Sequence, residues 1–179
     1  MERLWIMLAG YFKKIGMRRF TVMAIGNLFL GMGISIFKLC GLGNDPFSGM
    51  VMALSDRTGI TYALFLVMVN AVLFLYEITA GRKLIGAGTL INAFLLGYIV
   101  TFFYDIWLTF IGTPEQMPQR VITVLTGVII TSFGVSLYQY PNVGVAPYDS
   151  ISLIWCRKKP HVPYFWYRIS TDTFCALVC

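Results

Sequence analysis

Charged residues are scarce in this chain. Only 12% of its 179 residues are Asp, Glu, Lys or Arg, whereas 58% are hydrophobic and the mean hydropathy is +0.73. A soluble domain carries about 25% charged residues to cover its surface. The scarcity therefore excludes an ordinary soluble domain and predicts an all-α integral membrane protein, whose first partner is the lipid bilayer.

Residues that hold metals or carry out catalysis are also few. His161 is the only histidine, and the four cysteines form neither a CxxC pair nor a Cys/His spacing. The sequence also has no Walker loop, HExxH motif or dinucleotide fingerprint. We therefore expect no metal site, no cofactor and no enzymatic activity.

Long apolar runs occupy most of the chain. Five runs approach or exceed the roughly 20 residues that cross a bilayer. They lie at about 21–40, 60–80, 84–111, 121–140 and 163–179. The pattern predicts about five transmembrane helices.

Basic residues give the chain a formal net charge of +6, and their positions indicate which loops face the cytoplasm. They cluster before the first run (Arg18 and Arg19), after the second (Arg82 and Lys83) and before the fifth (157–159). This is the distribution of cytoplasmic loops, so it predicts a cytoplasmic N-terminus and no nucleic-acid partner. Residues 1–16 are expected to form either an interfacial amphipathic helix or a disordered leader.

The sequence repeats itself at an offset of 101 residues. The offset places Gly33 on Gly134 and aligns the stretch GLGNDPFSGM with NVGVAPYDSI without a gap. Other pairs brought together are Arg19 and Arg120, Gly26 and Gly127, Ser35 and Ser136, Gly43 and Gly144, and Pro46 and Pro147. The pattern predicts a duplicated unit, with a first repeat at 17–112 and an incomplete second repeat at 118–179.

Each repeat contains a break between two apolar runs, followed by a short apolar stretch of about ten residues. Such a stretch spans half of the hydrocarbon thickness, so it is expected to be a re-entrant half-helix. Three full spans per repeat would invert the second repeat relative to the first. The Gly86-x-Gly88-Thr89 of the first repeat would recur at position 187, beyond the last residue. We therefore expect a truncated second copy, with a natural five-span protein as the alternative.

The two breaks carry the candidate site. Gly43 and Pro46 mark the first break, Gly144 and Pro147 the second. Asp45 is expected to cap the first half-helix, while Asp149 lies in the first turn of the second. Two interpretations stay open, capping alone or a solute site at two half-helix N-termini. The candidate binding residues are Asp45, Ser48, Tyr148, Asp149, Arg168 and Asp172.

Further polar residues lie within the apolar runs. Arg168 and Asp172 are four residues apart, which predicts one helix face and either an ion pair or a solute contact. Asn70 and Asn92 are expected to form interhelical hydrogen bonds. Glu77, one turn before Arg82, is expected at the membrane interface.

Three stretches, GLGNDPFSGM, GAGTLINAFLLG and VGVAPYDSIS, resemble the YitT/YczE/YyaS family of bacterial multi-pass membrane proteins. The resemblance extends from about Arg18 to the end of the chain. In that family each copy has a Gly-x-x-Pro-aromatic break and a Gly-x-Gly-Thr near its end, and the second Gly-x-Gly-Thr is missing here. The resemblance implies a location in the bacterial cytoplasmic membrane and implies no particular substrate.

Two functions fit these features. The first is a small-solute transporter or exporter whose site lies at the two Gly-Pro breaks and alternates its exposure between the two sides. The second is a non-transporting membrane protein that binds or regulates a partner through its basic loops. A homo-oligomer is compatible with either function.

Overall fold

The computed structural model describes residues 16–179, so nearly all of the predicted leader at 1–16 lies outside the described residues. In this part of the chain there are eight α-helices and no strand. The helices are α1 Met17–Cys40, α2 Pro46–Thr58, α3 Tyr62–Ala80, α4 Ala87–Phe94, α5 Leu96–Phe110, α6 Met117–Gln139, α7 Pro147–Lys158 and α8 Tyr164–Val178, with a 3-10 turn at Arg82–Leu84.

Three of these helices, α1, α3 and α6, are long and apolar enough to cross a membrane. Helices α4 and α5 meet at an angle of 50° and together make a fourth candidate, bent at Leu95. Helix α8 has 15 residues, which is shorter than a typical span. The structure thus has three to four candidate spans, and the number five stays a prediction.

The helices are interrupted between Cys40 and Pro46 and between Gln139 and Pro147, and local residues explain both interruptions. Helix α1 ends at Gly41, which adopts the left-handed conformation with φ 63°. Asp45 is the N-cap of α2, and its Oδ2 accepts a hydrogen bond from the Ser48 backbone N–H at 3.0 Å. Proline opens both half-helices, as Pro46 in α2 and Pro147 in α7. At 13 and 12 residues, these helices rise about 20 and 18 Å.

The long helices α1 and α6 pack against each other in antiparallel orientation. A methyl group on Gly26 would overlap the backbone of Tyr138, and one on Gly127 would lie 2.8 Å from the ring of Phe37. Two further glycines face the opposite helix in the same way, Gly33 against Thr131 and Gly134 against Leu30. Because glycine lacks a side chain, the two backbones approach closely over several turns.

Helices α4 and α5 pack against α1 and the second break. The indole Nε1 of Trp107 in α5 donates a hydrogen bond to Ser35 Oγ in α1 at 3.0 Å. At the start of α4, the Gly88 backbone N–H donates to the Val143 carbonyl at 3.0 Å. These contacts attach the bent helix pair to the segment that precedes the second half-helix.

Each short helix, α2 and α7, packs against a helix from the other half of the chain. Helix α2 contacts α8, and α7 contacts α3. In the second of these pairs, Trp155 Nε1 donates to the Tyr76 hydroxyl at 3.0 Å.

The predicted interhelical hydrogen bonds are confirmed. Asn92 Nδ2 donates to Asn27 Oδ1 at 3.2 Å, and Asn70 Nδ2 donates to the Ala93 carbonyl at 3.4 Å. Both bonds link different helices and are buried, so they satisfy amides that have no access to water.

Candidate functional site

The N-terminal ends of the two half-helices meet in the interior of the protein. The ring of Phe47, the second residue of α2, stacks on the ring of Tyr148, the second residue of α7. The ring centroids are 4.3 Å apart and the ring planes differ by 13°. The two residues are 101 positions apart, so the contact joins two positions that the predicted repeat aligns.

A cavity of about 130 Å³ lies beside this stacked pair. Five of the six candidate binding residues line it: Asp45, Ser48, Tyr148, Asp149 and Arg168. The sixth, Asp172, is not among the lining residues, but its Oδ1 accepts a hydrogen bond from the Tyr148 hydroxyl at 2.5 Å. Folding therefore brings residues from both breaks and from α8 around one space.

On the side of the first break, Asp45 does more than cap its helix. Its Oδ2 is occupied by the Ser48 backbone N–H, whereas its Oδ1 is buried and has no hydrogen-bond partner. The Asp45 backbone N–H donates in turn to Asn44 Oδ1 at 2.9 Å. One carboxylate oxygen is thus held in place by the cap while the other is free.

On the side of the second break, the Asp149 carboxylate is fully engaged. Its Oδ1 forms an ion pair with Arg168 Nη1. Its Oδ2 accepts a hydrogen bond from the Tyr138 hydroxyl and a longer one from Gln139 Nε2 at 3.4 Å. Asp149 therefore ties α7 to both α6 and α8.

Arg168 of α8 lies between two carboxylates. Besides Asp149, it contacts Asp172, with Nε 3.3 Å from Oδ2 across one helical turn. Its guanidinium carbon also lies 4.8 Å from the centroid of the Tyr148 ring, within range of a cation–π interaction. The predicted shared face of Arg168 and Asp172 is confirmed by this contact, and a role in solute binding stays a prediction.

The two glycines of the breaks occupy backbone conformations that disfavour other residues. Gly43 has φ 139° and Gly144 has φ 119°. Gly144 is also packed tightly, because a methyl group there would lie 2.7 Å from the Gly86 backbone. Both glycines lie between the helices that flank each break, and their role as structural breaks stays a prediction.

Sequence analysis missed two polar residues of the long helix α6 that the fold brings to this region, Thr131 and Tyr138, which line the cavity. Asn92 of the short helix α4 also lines it, although only an interhelical hydrogen bond was expected of this residue. Thr131 Oγ1 is buried without a hydrogen-bond partner. One sequence feature could have indicated Tyr138. The 101-residue offset aligns it with Phe37, so a tyrosine hydroxyl is present where the other copy has an apolar ring.

The side chain of Glu77 is fully buried within the protein, with 0% exposure. Its expected depth at the membrane interface stays a prediction. Neither of its carboxylate oxygens has a hydrogen-bond partner. The distance of Glu77 from Arg82 in the sequence indicated its depth in the membrane. It did not indicate that α7 packs against the helix that carries Glu77.

Comparison with known proteins assigns the chain to a family. A family of unknown function, DUF6198, matches residues 17–179. The chain belongs to this family.

Within residues 16–179, the part that the structure describes, no three His, Cys, Asp or Glu side chains are grouped closely enough to hold a metal ion.

Relatives of this DUF6198 protein come from two bacteria. It is similar to the uncharacterized protein YyaS of Bacillus subtilis (strain 168), with 27% identity over 142 residues, 76% of this chain and 67% of the relative. It is also similar to the uncharacterized membrane protein YczE of the same organism, with 24% identity over 141 residues, 78% of this chain and 64% of the relative. An uncharacterized protein of Haemophilus influenzae is 27% identical over 131 residues, 72% of this chain and 57% of the relative.

These matches confirm the resemblance to YczE and YyaS, and with the apolar helices they support a location in a membrane. The chain spans 57 to 67% of the length of these relatives. No solved structure matches it.

Proposed function

We propose that this protein is part or all of a small-solute transporter whose binding site is the cavity between the two half-helices. The observation that carries the proposal is the convergence of Asp45, Asp149 and Arg168 on one cavity beside the N-termini of α2 and α7. Charged groups inside a membrane protein are costly, so they are typically kept where an ion or solute must bind. Broken helices that meet at a central site are typical of secondary transporters.

We also propose that the two halves form an inverted repeat. Supporting this, the α1–α6 contacts are reciprocal: Gly26 lies against Tyr138, and the counterpart of each, Gly127 and Phe37, form the matching contact. A two-fold axis between antiparallel helices produces such reciprocity. The stacked pair of Phe47 and Tyr148 also joins two positions that the 101-residue offset aligns, as expected for a pair on or near such an axis. Such an arrangement supplies two similar gates on opposite sides of one site.

The proposed orientation has the N-terminus in the cytoplasm of a bacterium. Three basic segments lie at one end of the helix bundle. Arg18 and Arg19 line a cavity with Tyr140 at the end of α6, and Gly81, beside Arg82 and Lys83, contacts Ile154, one turn before the basic residues 157–159. Clustering of basic residues at one end favours the cytoplasmic side.

The cavities around the two breaks differ, which suggests a direction of access. Asp45 and Thr131 line the central cavity and also a neighbouring one of about 530 Å³ at the first break. At the second break, the cavity lined by Arg18 and Tyr140 shares no lining residue with the central one. We propose that this conformation is open on the side of the first break and closed on the side of the second.

Cysteine accessibility tests the proposal. Single cysteines replace Ser48 and Ala146, which line the cavity from the two breaks, in a background without the four native cysteines. A membrane-impermeant thiol reagent is then applied to intact cells and to inverted vesicles. A cysteine at Ser150 is the control, because this residue is fully buried and lies outside the cavity lining.

We expect Ser48→Cys and Ala146→Cys to be labelled from both sides and Ser150→Cys from neither. Labelling from both sides requires a cavity whose exposure alternates. Absence of labelling at both test positions would contradict transport. The alternative, a membrane protein that binds a partner, then predicts that neutralising the basic residues 157–159 abolishes its activity.

A further inference from the structure

We infer that the cavity between the half-helices binds a small organic cation, a protonated amine, and that Asp45 Oδ1 and Thr131 Oγ1 are its ligands. This inference rests on the proposed function only in placing the solute in this cavity. Neither the sequence motifs nor the relatives indicate a charge or chemical class for the solute.

The first argument is the balance of charge. Asp45 and Asp149 line the cavity together with Arg168, and Asp172 contacts Arg168 from the next turn of α8. Three carboxylates therefore surround one guanidinium, and no other charged side chain lines this space. Arg168 already pairs with Asp149 and Asp172, whereas Asp45 forms no ion pair within the described residues. Lys38 lines a neighbouring cavity with Asp45, but its ammonium group lies over the rings of Tyr62 and Tyr104. A positively charged solute would complete the set of pairs.

The second argument is the hydrogen-bonding capacity left free. Asp45 Oδ1 and Thr131 Oγ1 are both buried, both belong to residues that line the cavity, and neither has a partner. Buried polar atoms are nearly always paired, so two free ones in the same cavity indicate a missing ligand. An ammonium group offers three N–H donors, which suits a carboxylate and a hydroxyl at once.

The third argument is that the site does not favour an anion, the usual ligand of helix N-termini. Free N–H groups and a partial positive charge generally attract anions to such ends. Here the Ser48 N–H is taken by Asp45 Oδ2, and Asp149 supplies a negative charge in the first turn of α7. The Asp45 side chain thus caps α2. No side chain caps α7, but an anion there would have to approach the Asp149 carboxylate in the first turn.

The size and geometry of the site favour an organic cation over a metal ion. Within residues 16–179, no group of three His, Cys, Asp or Glu side chains is arranged to hold a metal. The cavity of about 130 Å³ has the volume of roughly four water molecules. The stacked rings of Phe47 and Tyr148 form an apolar wall, and the Tyr148 ring already lies beside a guanidinium. An alkylammonium ion of a few heavy atoms matches this combination.

Ligand-observed NMR on the purified chain in lipid nanodiscs tests the inference with three probes of similar size. The probes are propylammonium, the neutral 1-propanol and the anionic propionate. We expect saturable binding of propylammonium alone. Asp45→Asn should weaken that binding at least about ten-fold, because a charge-assisted hydrogen bond is lost while asparagine still caps α2. Thr131→Val should weaken it by a smaller factor.

The matched control is Asp56→Asn, which removes the same charge from the exposed end of the same half-helix. We expect it to leave propylammonium binding unchanged. The inference is overturned if propanol or propionate binds equally well, if Asp45→Asn binds like the unmodified protein, or if equimolar Na⁺ displaces the amine. Amine binding without two-sided cysteine labelling would refute transport alone. Two-sided labelling without amine binding would refute the cation alone.

Discussion

The rings of Phe47 and Tyr148 stack with their centroids 4.3 Å apart, although 101 residues separate them in the chain. The contact joins the first turns of the two half-helices, and it holds them in a fixed relation beside the cavity. The predicted repeat aligns these two positions, so the contact joins the two segments that the 101-residue offset pairs.

Loss of this contact should destabilise the protein. We expect Phe47→Ala to lower the free energy of unfolding by about 2 kcal/mol, since a half-buried aromatic ring and its stacking partner are separated. Phe110→Ala is the control, because that ring is 82% exposed at the end of α5. Thermal unfolding in detergent measures both. Equal effects of the two substitutions would show that the stack does not hold the half-helices together.

The ion pair between Arg168 and Asp149 should be coupled more strongly than the one between Arg168 and Asp172. A double-mutant cycle with Arg168→Met and Asp149→Asn is expected to give a coupling energy of about 1–3 kcal/mol, because this pair is partly buried and joins two helices. The cycle with Asp172→Asn should give about 0.5 kcal/mol, as expected for a pair one turn apart on one helix. A reversed order would place the main anchor of Arg168 within α8.

Close packing of α1 on α6 should tolerate no side chain at the glycines that face the opposite backbone. Gly26→Ala and Gly134→Ala are each expected to destabilise the protein by about 1–3 kcal/mol, because the added methyl group overlaps backbone atoms. Gly49→Ala is the matched control, since a methyl group there would make ordinary contacts with Cys179 Sγ at 3.4 Å and Asn44 Cβ at 3.8 Å. In this helix the control should be neutral or stabilising by about 0.5–1 kcal/mol. Tolerance of Gly26→Ala would contradict the observed α1–α6 contact.

We expect the buried side chain of Glu77 to lower the free energy of unfolding of the protein. Its two carboxylate oxygens are buried and lack hydrogen-bond partners. Replacing it with methionine, similar in length but apolar, is expected to raise the free energy of unfolding by about 1–3 kcal/mol. Glu115→Met, in the exposed segment before α6, is the control and should change stability by less than about 0.5 kcal/mol. Destabilisation by Glu77→Met would mean that the carboxylate makes a favourable contact in the folded protein.

Local sequence patterns were sufficient to predict the elements of the site. Pro46 with Asp45, and Pro147 with Asp149, located the start of each half-helix because proline and a short acidic side chain have strong preferences at those positions. The spacing of Arg168 and Asp172 predicted their contact for the same reason, since residues four apart share a helix face. Gly43 and Gly144 were identified by the repeat and have positive φ angles.

Contacts between distant segments could not be predicted in this way. Hydropathy placed Thr131 and Tyr138 in an apolar run but did not indicate which face of α6 would border the cavity. Glu77 was expected at the interface because its neighbour in sequence is basic, whereas its burial depends on packing within the folded bundle. Hydropathy also gave five apolar runs, while the bend at Leu95 and the short α8 leave three to four helices that meet the length of a span.

The sequence by itself determined the all-helical architecture, the two breaks and the acidic residue near each half-helix N-terminus, because these depend on composition and on the conformational preferences of adjacent residues. Only the tertiary structure decided that Phe47 meets Tyr148, that Arg168 pairs across helices with Asp149, and that Asp45 and Thr131 keep free oxygen atoms in one cavity. Those relations join different helices, α2 with α7, α7 with α8, and the start of α2 with α6, so they depend on how the helices pack and not on the preferences of adjacent residues.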